Sequence, residues 1–448
     1  MAVRLEEDVA ATKFYKEMRN QFLILFFFGV SFVATAQEQE NKPKEYVKKV
    51  LENTEVDILY SYYNQDGTHA SVTGGEGTEK LTDMTPTIIV SIPLGDNNVL
   101  TVDGGVSAYT SASSSNIDPF DGGSPASPWI ESSGASRSDV LSYIHPTFSH
   151  SSKNRNNIVS ANFAVSNEFD YSSLGFGGGY THLMNEKNTE LGISAQVYLD
   201  KYSPQYPIEL RTGFIQNYGG DIIGNGTYAP QFTPFDQLNR NSYSASLNFS
   251  QIITKRLQAS LSVDFVLQDG LLSTPHQRVY FSDTEKFFIE DFQLADDVER
   301  LPSTRYKIPI GGRISYAIND MFIFRGYFRY YFDDWGINSF TVSTEIPIKI
   351  SDKFTVFPIY RYYSQTASKY FYPKDVALST NRYYTSDYDL SAFNANQFGF
   401  GVSYKDIFTT TRIWKLGLKS IDFRYNNYQR STDLKADIFA LGFKFIKD

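Results

Sequence analysis

From Ser242 to Ser250 the chain alternates strictly. Ser242, Ser244, Ser246, Asn248 and Ser250 fall on one face, and Tyr243, Ala245, Leu247 and Phe249 on the other. The next segment repeats the pattern, with Gln258, Ser260, Ser262 and Asp264 against Leu257, Ala259, Leu261, Val263 and Phe265. A period of two is the mark of a β-strand, because successive side chains point to opposite faces. One greasy and one polar face, repeated strand after strand, means that the faces meet different solvents. The pattern predicts about sixteen strands, near residues 54–64, 82–94, 98–109, 138–149, 157–169, 172–184, 189–200, 241–252, 256–268, 305–318, 321–333, 337–350, 354–365, 396–405, 413–426 and 434–446. A count of fourteen is the alternative.

The connections have a rhythm of their own. Gly95-Asp96-Asn97, Asn185-Glu186-Lys187-Asn188, Thr254-Lys255, Asn319-Asp320 and Ser351-Asp352-Lys353 are compact turn clusters. The alternate connections include long ones, at 64–81, 110–137, 201–240, 269–304 and 366–395. Short turns at one end and long loops at the other describe an up-and-down transmembrane β-barrel of the Gram-negative outer membrane, with periplasmic turns and extracellular loops. Both termini then lie in the periplasm, which requires an even strand number.

The N-terminus agrees with export. The apolar run Phe22–Val33 follows Arg19 and ends at Ala34-Thr35-Ala36, a small-x-small cleavage pattern at Ala34 and Ala36. The run is too short to span a bilayer and reads as a signal peptide over residues 1–36. Glu6, Glu7, Asp8 and Glu17 make a poor start for one, so translation is expected to begin at Met18. Residues 37–53, charged with Tyr46, Val47, Val50 and Leu51 at helical spacing, form a periplasmic lead-in or a plug for the barrel mouth. The barrel proper occupies 54–448.

Composition narrows the function. With 41% hydrophobic residues and a mean hydropathy of −0.33 the chain is no helical membrane protein. The 36 Phe and 32 Tyr suit lipid-facing bands and aromatic girdles. Trp335 is expected at the outer belt and Trp414 at the periplasmic one. The absence of Cys excludes lipoprotein acylation, thiol catalysis, iron–sulfur clusters and covalent haem. Net charge of −9 argues against a nucleic-acid partner.

Candidate chemistry concentrates on the polar face of the C-terminal half. Arg305, Lys307 and Arg313 share parity on one strand, and Arg325, Tyr327, Arg329 and Tyr331 on the next. Glu345 and Lys349, then Arg361 and Tyr363, then Asp422 and Arg424 follow on later strands. Arginines on adjacent strands make a cationic stripe that attracts and orders anions in a lumen. The plainer reading is a bracing network in which these arginines pair with carboxylates such as Asp264 and Glu345. Asp333-Asp334-Trp335-Gly336 reads as a tight extracellular turn, with a surface cation or ligand site as the sharper alternative. Gly175, Gly177, Gly178 and Gly179 lack a following Gly-Lys-Ser/Thr and read as strand glycines that let the wall bend, not as a phosphate loop. The acidic run 283–300 reads as a solvated loop, or as a site for divalent cations bridging lipopolysaccharide. His69, His145, His150, His182 and His276 have no metal-ligand spacing, so no metal, cofactor or catalytic residue is expected, and a hydrolase would rest on His182 or His276 alone.

Several of these segments resemble an uncharacterised family of Bacteroidota outer-membrane barrels, known by a domain-of-unknown-function label. The resemblance is carried by Thr254-Lys255-Arg256-Leu257, by Gly270-Leu271-Leu272-Ser273-Thr274-Pro275 with Arg278-Val279-Tyr280-Phe281, and by Leu301-Pro302-Ser303-Thr304-Arg305-Tyr306-Lys307. It continues through Arg325-Gly326-Tyr327-Phe328-Arg329-Tyr330-Tyr331, Asp333-Asp334-Trp335-Gly336-Ile337 and Tyr383-Tyr384-Thr385-Ser386-Asp387-Tyr388-Asp389-Leu390-Ser391. It covers most of the mature chain and implies no assigned activity. Its genes' neighbours, a small lipoprotein, a flavin transferase and thioredoxin-like proteins, imply an envelope redox setting.

The expectation is therefore a pore or conduit for a small solute or partner protein. The alternative is a closed barrel that scaffolds a lipoprotein or periplasmic complex through loops 201–240 and 269–304. Its other expected partners are outer-membrane lipids and the barrel-assembly machinery. The last strand, Asp437–Lys447, resembles the signal that machinery reads, although it ends in Ile446-Lys447-Asp448 and not on an aromatic residue.

Overall fold

The computed structural model describes residues 49–110, 138–214 and 220–447. Sixteen antiparallel strands form its wall: β1 (Thr54–Asp66), β2 (Leu81–Pro93), β3 (Asn98–Thr110), β4 (Ser138–Ser151), β5 (Asn157–Asn167), β6 (Tyr171–Met184), β7 (Thr189–Tyr202) and β8 (Arg240–Thr254). The second half comprises β9 (Leu257–Gly270), β10 (Thr304–Ala317), β11 (Ile323–Asp333), β12 (Asn338–Glu345), β13 (Phe354–Gln365), β14 (Phe393–Lys405), β15 (Leu416–Arg430) and β16 (Lys435–Lys447). Each strand pairs with its sequence neighbours, and β1 pairs with β16 from Thr54↔Lys447 to Asp66↔Lys435. That last ladder closes the ring and leaves no edge strand.

The register places the two faces as the alternation requires. Phe163, Phe176, Ile193, Leu247, Leu261, Phe265, Phe328 and Phe398 point outward and are exposed. An unpartnered apolar belt around a closed ring of strands is the surface a bilayer covers, so the protein is an outer-membrane barrel. Ser244, Gln196 and Gly177 meet inside on neighbouring strands, as do Ser262, Gly311 and Arg329. The glycine-rich stretch 175–179 lies wholly within β6. Its Gly175 faces Tyr198, whose ring an added Cβ would meet at 2.5 Å, so the glycine makes room in the lumen beyond any bending of the wall.

Residues 49–53 run beneath the periplasmic turns, where Val50 N donates to Asp96 O and Lys49 O accepts from Arg155 Nη1. The signal segment with Ala34 and Ala36, most of the lead-in, and loop 111–137 lie outside the described residues.

At the other end segments 203–214, 220–239, 271–303 and 366–392 fold together with 67–80 into a lid that has apolar cores of its own. Phe214, Tyr228, Phe287, Ile289 and Leu294 form one. Leu210, Tyr280, Ala295 and Val298 form a second, and Val279, Phe281, Ala377 and Tyr384 a third. The expectation of a solvated acidic loop over 283–300 holds for Asp283, Glu285, Glu290 and Asp291, which are exposed, and is corrected for Asp297 and Glu299. Asp297 and Glu299 are buried, because the segment doubles back as small hairpins at Phe288–Gln293 and at Arg278–Val279 with Asp297–Val298.

Candidate functional site

Strands β10 to β15 set the basic stripe on the lumen face. Arg313 lies opposite Tyr327, Ser315 opposite Arg325, Arg325 opposite Glu345, and Gly401 opposite Arg424. Glu345 Oε1 accepts from Arg325 Nη1 at 2.6 Å, and Oε2 accepts from Arg424 Nη1 at 3.1 Å. Arg424 reaches Glu345 across two intervening strands by lying on the ring of Phe357, 4.6 Å from its centroid. Gly401 permits this: a Cβ there would sit 2.0 Å from Phe357. The result is a cavity of about 570 Å³ lined by Arg313, Arg325, Tyr327, Ser343, Glu345 and Arg424. Three guanidiniums against one carboxylate leave it positive. Arg325 and Arg424 remain 52% and 44% exposed, so water and solute still reach them. Pairs this exposed stabilise the wall by less than about 1 kcal/mol each and leave their charge available.

The expected bracing network is therefore present at Glu345, while Asp264 makes no ion pair among the described residues. Arg329, one lumen-facing step beyond Tyr327, also has no ion pair among them.

Arg305, Tyr331 and the Asp333–Gly336 turn assemble a different object at the outer rim. Asp333 Oδ2 accepts from Arg305 Nη2 at 2.5 Å and from Tyr331 Oη at 2.7 Å, while Oδ1 accepts from Ile337 N at 2.9 Å. Arg305 stacks 4.4 Å from the ring centroid of Trp335, and Trp335 Nε1 donates to Thr304 O. Asp334 accepts from Tyr306 N. Trp335 is 3% exposed, packed with Leu272 and Leu301 and edge-on to Tyr370. The expectation of Trp335 in the outer lipid belt is corrected: it rivets the hairpin to the lid. Trp414, 84% exposed at the periplasmic rim next to the exposed Ile413, has the exposure a belt residue needs. Lys307, half-buried, sits one inward position below Arg305, opposite Asp333.

A second cavity, about 510 Å³, lies where the lid meets the wall, and Arg361, Gln397, Tyr428 and Arg430 face Asp387 and Asp389 across it. Arg430 donates to Asp389 at 2.8 Å and stacks on Phe393. Gln277, from the lid, bonds both Ser71 and Asp387.

The lid itself is pinned by buried charge. Arg278 donates to both oxygens of Glu209, Nε to Oε1 at 2.6 Å, with the side chains 1% and 0% exposed. Arg278 Nη1 also donates to Val72 O at 3.0 Å, so three loops meet on one guanidinium. Glu299 accepts from Thr274 N at 2.7 Å and from the Thr385 hydroxyl. Burial, reinforced by the nearby charge of Asp387, pushes the Glu299 carboxyl up to about 8. Burial and Asp389 push Asp387 to about 6. Burial, with Arg278 beside it, lowers His276 to about 4. His276 is thus a neutral lid-core residue, and His182 is tied to Asn157 Oδ1 at 2.8 Å.

Sequence reasoning did not single out Glu209, and it placed Glu299 in a solvated acidic run. The only signal was the company they keep: Arg278 stands in an apolar stretch, Val279-Tyr280-Phe281, where a charge needs a partner.

No curated protein matches the chain. Among solved structures, a bacterial polysaccharide outer membrane secretin is 12% identical with a TM-score of 0.42, over 88% of this chain and 98% of that one. The outer membrane protein opdK from Pseudomonas aeruginosa is 8% identical with a TM-score of 0.36, over 88% and 99%. A Pseudomonas aeruginosa FadL homologue is 9% identical with a TM-score of 0.39, over 88% and 90%. Likenesses this remote say nothing about cargo. One family spans residues 25–438, and by that match the chain belongs to the family described as "Protein of unknown function (DUF3570)".

Proposed function

We propose that the protein is a pore or conduit that passes a small polar solute across the outer membrane, with the basic stripe as its solute-contacting wall. The observation that carries this reading is the cavity at Arg313, Arg325, Glu345 and Arg424, where exposed guanidiniums outnumber carboxylates inside a sixteen-stranded ring. Barrels of that size enclose an aqueous channel. The reading assigns no reaction, metal or cofactor to the chain.

The test is conductance of the refolded mature chain in a planar bilayer, repeated with Arg325→Ala plus Arg329→Ala. Discrete salt-dependent steps with selectivity shifted toward cations in the variant support the reading. Steps with unchanged selectivity remove the arginines' role, and silence removes the pore.

The folded lid favours a second reading. A barrel whose mouth carries packed loops serves as a scaffold for a small lipoprotein or another envelope protein, including one in a redox complex. Loops 203–239 and 271–303 would form the docking surface, and deleting them would release the partner from a heat-modifiable barrel.

A further inference from the structure

The cavity between lid and wall lies in the extracellular half of the barrel, and its floor is one in-register row of lumen-facing side chains. Arg361 on β13, Gln397 on β14 and Tyr428 on β15 make that row. Neighbouring strands space them about 4.8 Å apart. Ser343 on β12 and Tyr327 on β11 continue it into the lower cavity. The side chains of Arg361 and Gln397 have no hydrogen bond or ion pair among the described residues, and Arg361 is exposed. A guanidinium only donates, so this wall asks for an acceptor.

The roof is the lid, and it asks for the opposite. Gln277 is 8% exposed, and its Nε2 donates to Ser71 Oγ at 2.9 Å and to Asp387 Oδ2 at 3.3 Å. Its Oε1 is left buried with no donor among the described residues. The amide cannot be turned round, because Oε1 would then face the Asp387 carboxylate. Charge in the cavity is close to balanced. Arg430 is paired with Asp389, and Arg361 stands against Asp387 and Glu79. Leu81, Leu434 and Ile438 add an apolar patch.

From this geometry we infer that the cavity binds a small neutral saccharide, clasped between the barrel wall and the lid. A hydroxyl both donates and accepts, so adjacent hydroxyls meet the demands of Arg361 and of Gln277 Oε1 in one ligand. A carboxylate has no proton for Oε1, and an ammonium has no lone pair for Arg361. A plain anion also meets Asp387 and Glu79, and a plain cation meets Arg361. The planar guanidinium and amide groups span two neighbouring hydroxyls, while the C–H face of a sugar ring covers Leu434 and Ile438. A volume of about 510 Å³ lies in the size range of small-molecule sites. This site is apart from the basic stripe, and it binds whether or not the barrel conducts.

The experiment uses the mature full chain refolded in a detergent without a sugar headgroup, read by calorimetric titration and hydrogen exchange. Glucose, glucuronate and protonated glucosamine share one ring and differ in charge, and N-acetylglycinamide is neutral with amides in place of hydroxyls. Glucose should bind saturably and more tightly than the amide. It should bind roughly fivefold more tightly than either charged sugar, the factor that one charge contact at about 4 Å in water amounts to. Arg361→Ala should weaken glucose roughly tenfold to a hundredfold, and Gln397→Ala severalfold. Neither side chain bonds to the rest of the fold, so heat-modifiable mobility on gels should be kept; where one variant loses it, the other decides. Bound glucose should slow amide exchange at Gln277 and at 385–389, because the ligand ties lid to wall. No saturable glucose binding, tighter binding of a charged sugar or of the amide, or full affinity in a variant that keeps its mobility overturns the inference. Discrete conductance steps beside such a failure leave the pore standing. Glucose binding by a silent barrel leaves the site standing and removes the pore.

Discussion

Glu209→Ala offers the sharpest test of the lid as a folded unit. The carboxylate takes two hydrogen bonds from Arg278, and neither side chain reaches solvent. Truncation removes both carboxylate bonds from a guanidinium that is buried against Phe292 and bonded to Val72 O. Removing one member of a buried pair costs about 3–5 kcal/mol, because the remaining charge loses its counter-ion away from water. That corresponds to a shift of roughly two to four powers of ten in the closed-to-open equilibrium of the lid. The wall should be indifferent, since its sixteen ladders do not involve Glu209. Hydrogen exchange by mass spectrometry reads both at once. Amides of 271–303, including Leu294, Asp296 and Glu299, should lose protection, while those of β5 to β8 keep theirs. Glu209→Leu with Arg278→Met, which removes both charges and keeps the volume, should restore most of it. Full lid protection in Glu209→Ala, or loss in the double variant equal to that in the single, would refute the reasoning.

Two further outcomes follow from the same geometry. Glu299 binds its proton more tightly in the closed lid than its ordinary 4.5 allows, so protonation favours closure. Lid stability is then full below about 4.5 and falls up to roughly tenfold per pH unit as pH rises toward about 8; Glu299→Gln should flatten that slope in exchange rates measured from pH 5 to 8. In variants retaining a single tryptophan, Trp414 should be quenched by lipids brominated near the headgroup, whereas Trp335, enclosed by Leu272, Leu301 and Tyr370, should emit to the blue and resist quenching.

The wall was legible because its information is local. Alternation such as Ser242–Ser250 sets strand and face without reference to the rest of the chain, and clusters such as Ser351-Asp352-Lys353 end strands by their own turn chemistry. Register then followed closely enough to put Arg325 and Glu345 side by side. The lid was not legible, because its burial depends on loops far apart in sequence. Asp297 and Glu299 look like solvent-facing carboxylates until Tyr384 and Thr385, more than eighty residues on, donate to them. Trp335 was misplaced for the same reason: position at a strand end suggests a lipid belt, but Leu272, Leu301 and Tyr370 arrive from other loops to cover it. The Arg305–Asp333 pair was within reach, since the two share lumen parity across one hairpin. The turn motif drew attention to itself as a possible ligand site and hid the arginine beside it.

The ladder between β1 and β16 has a consequence for how the chain matures. Its partners are the first and last strands of the barrel, so the ring cannot shut until β16 has arrived. Contacts such as Gln277 to Ser71, 206 residues apart, draw loops from opposite halves of the sequence onto one another. Contacts of such long separation form slowly, because the intervening loop must be closed before they are rewarded. The lid is thus a late product of biogenesis.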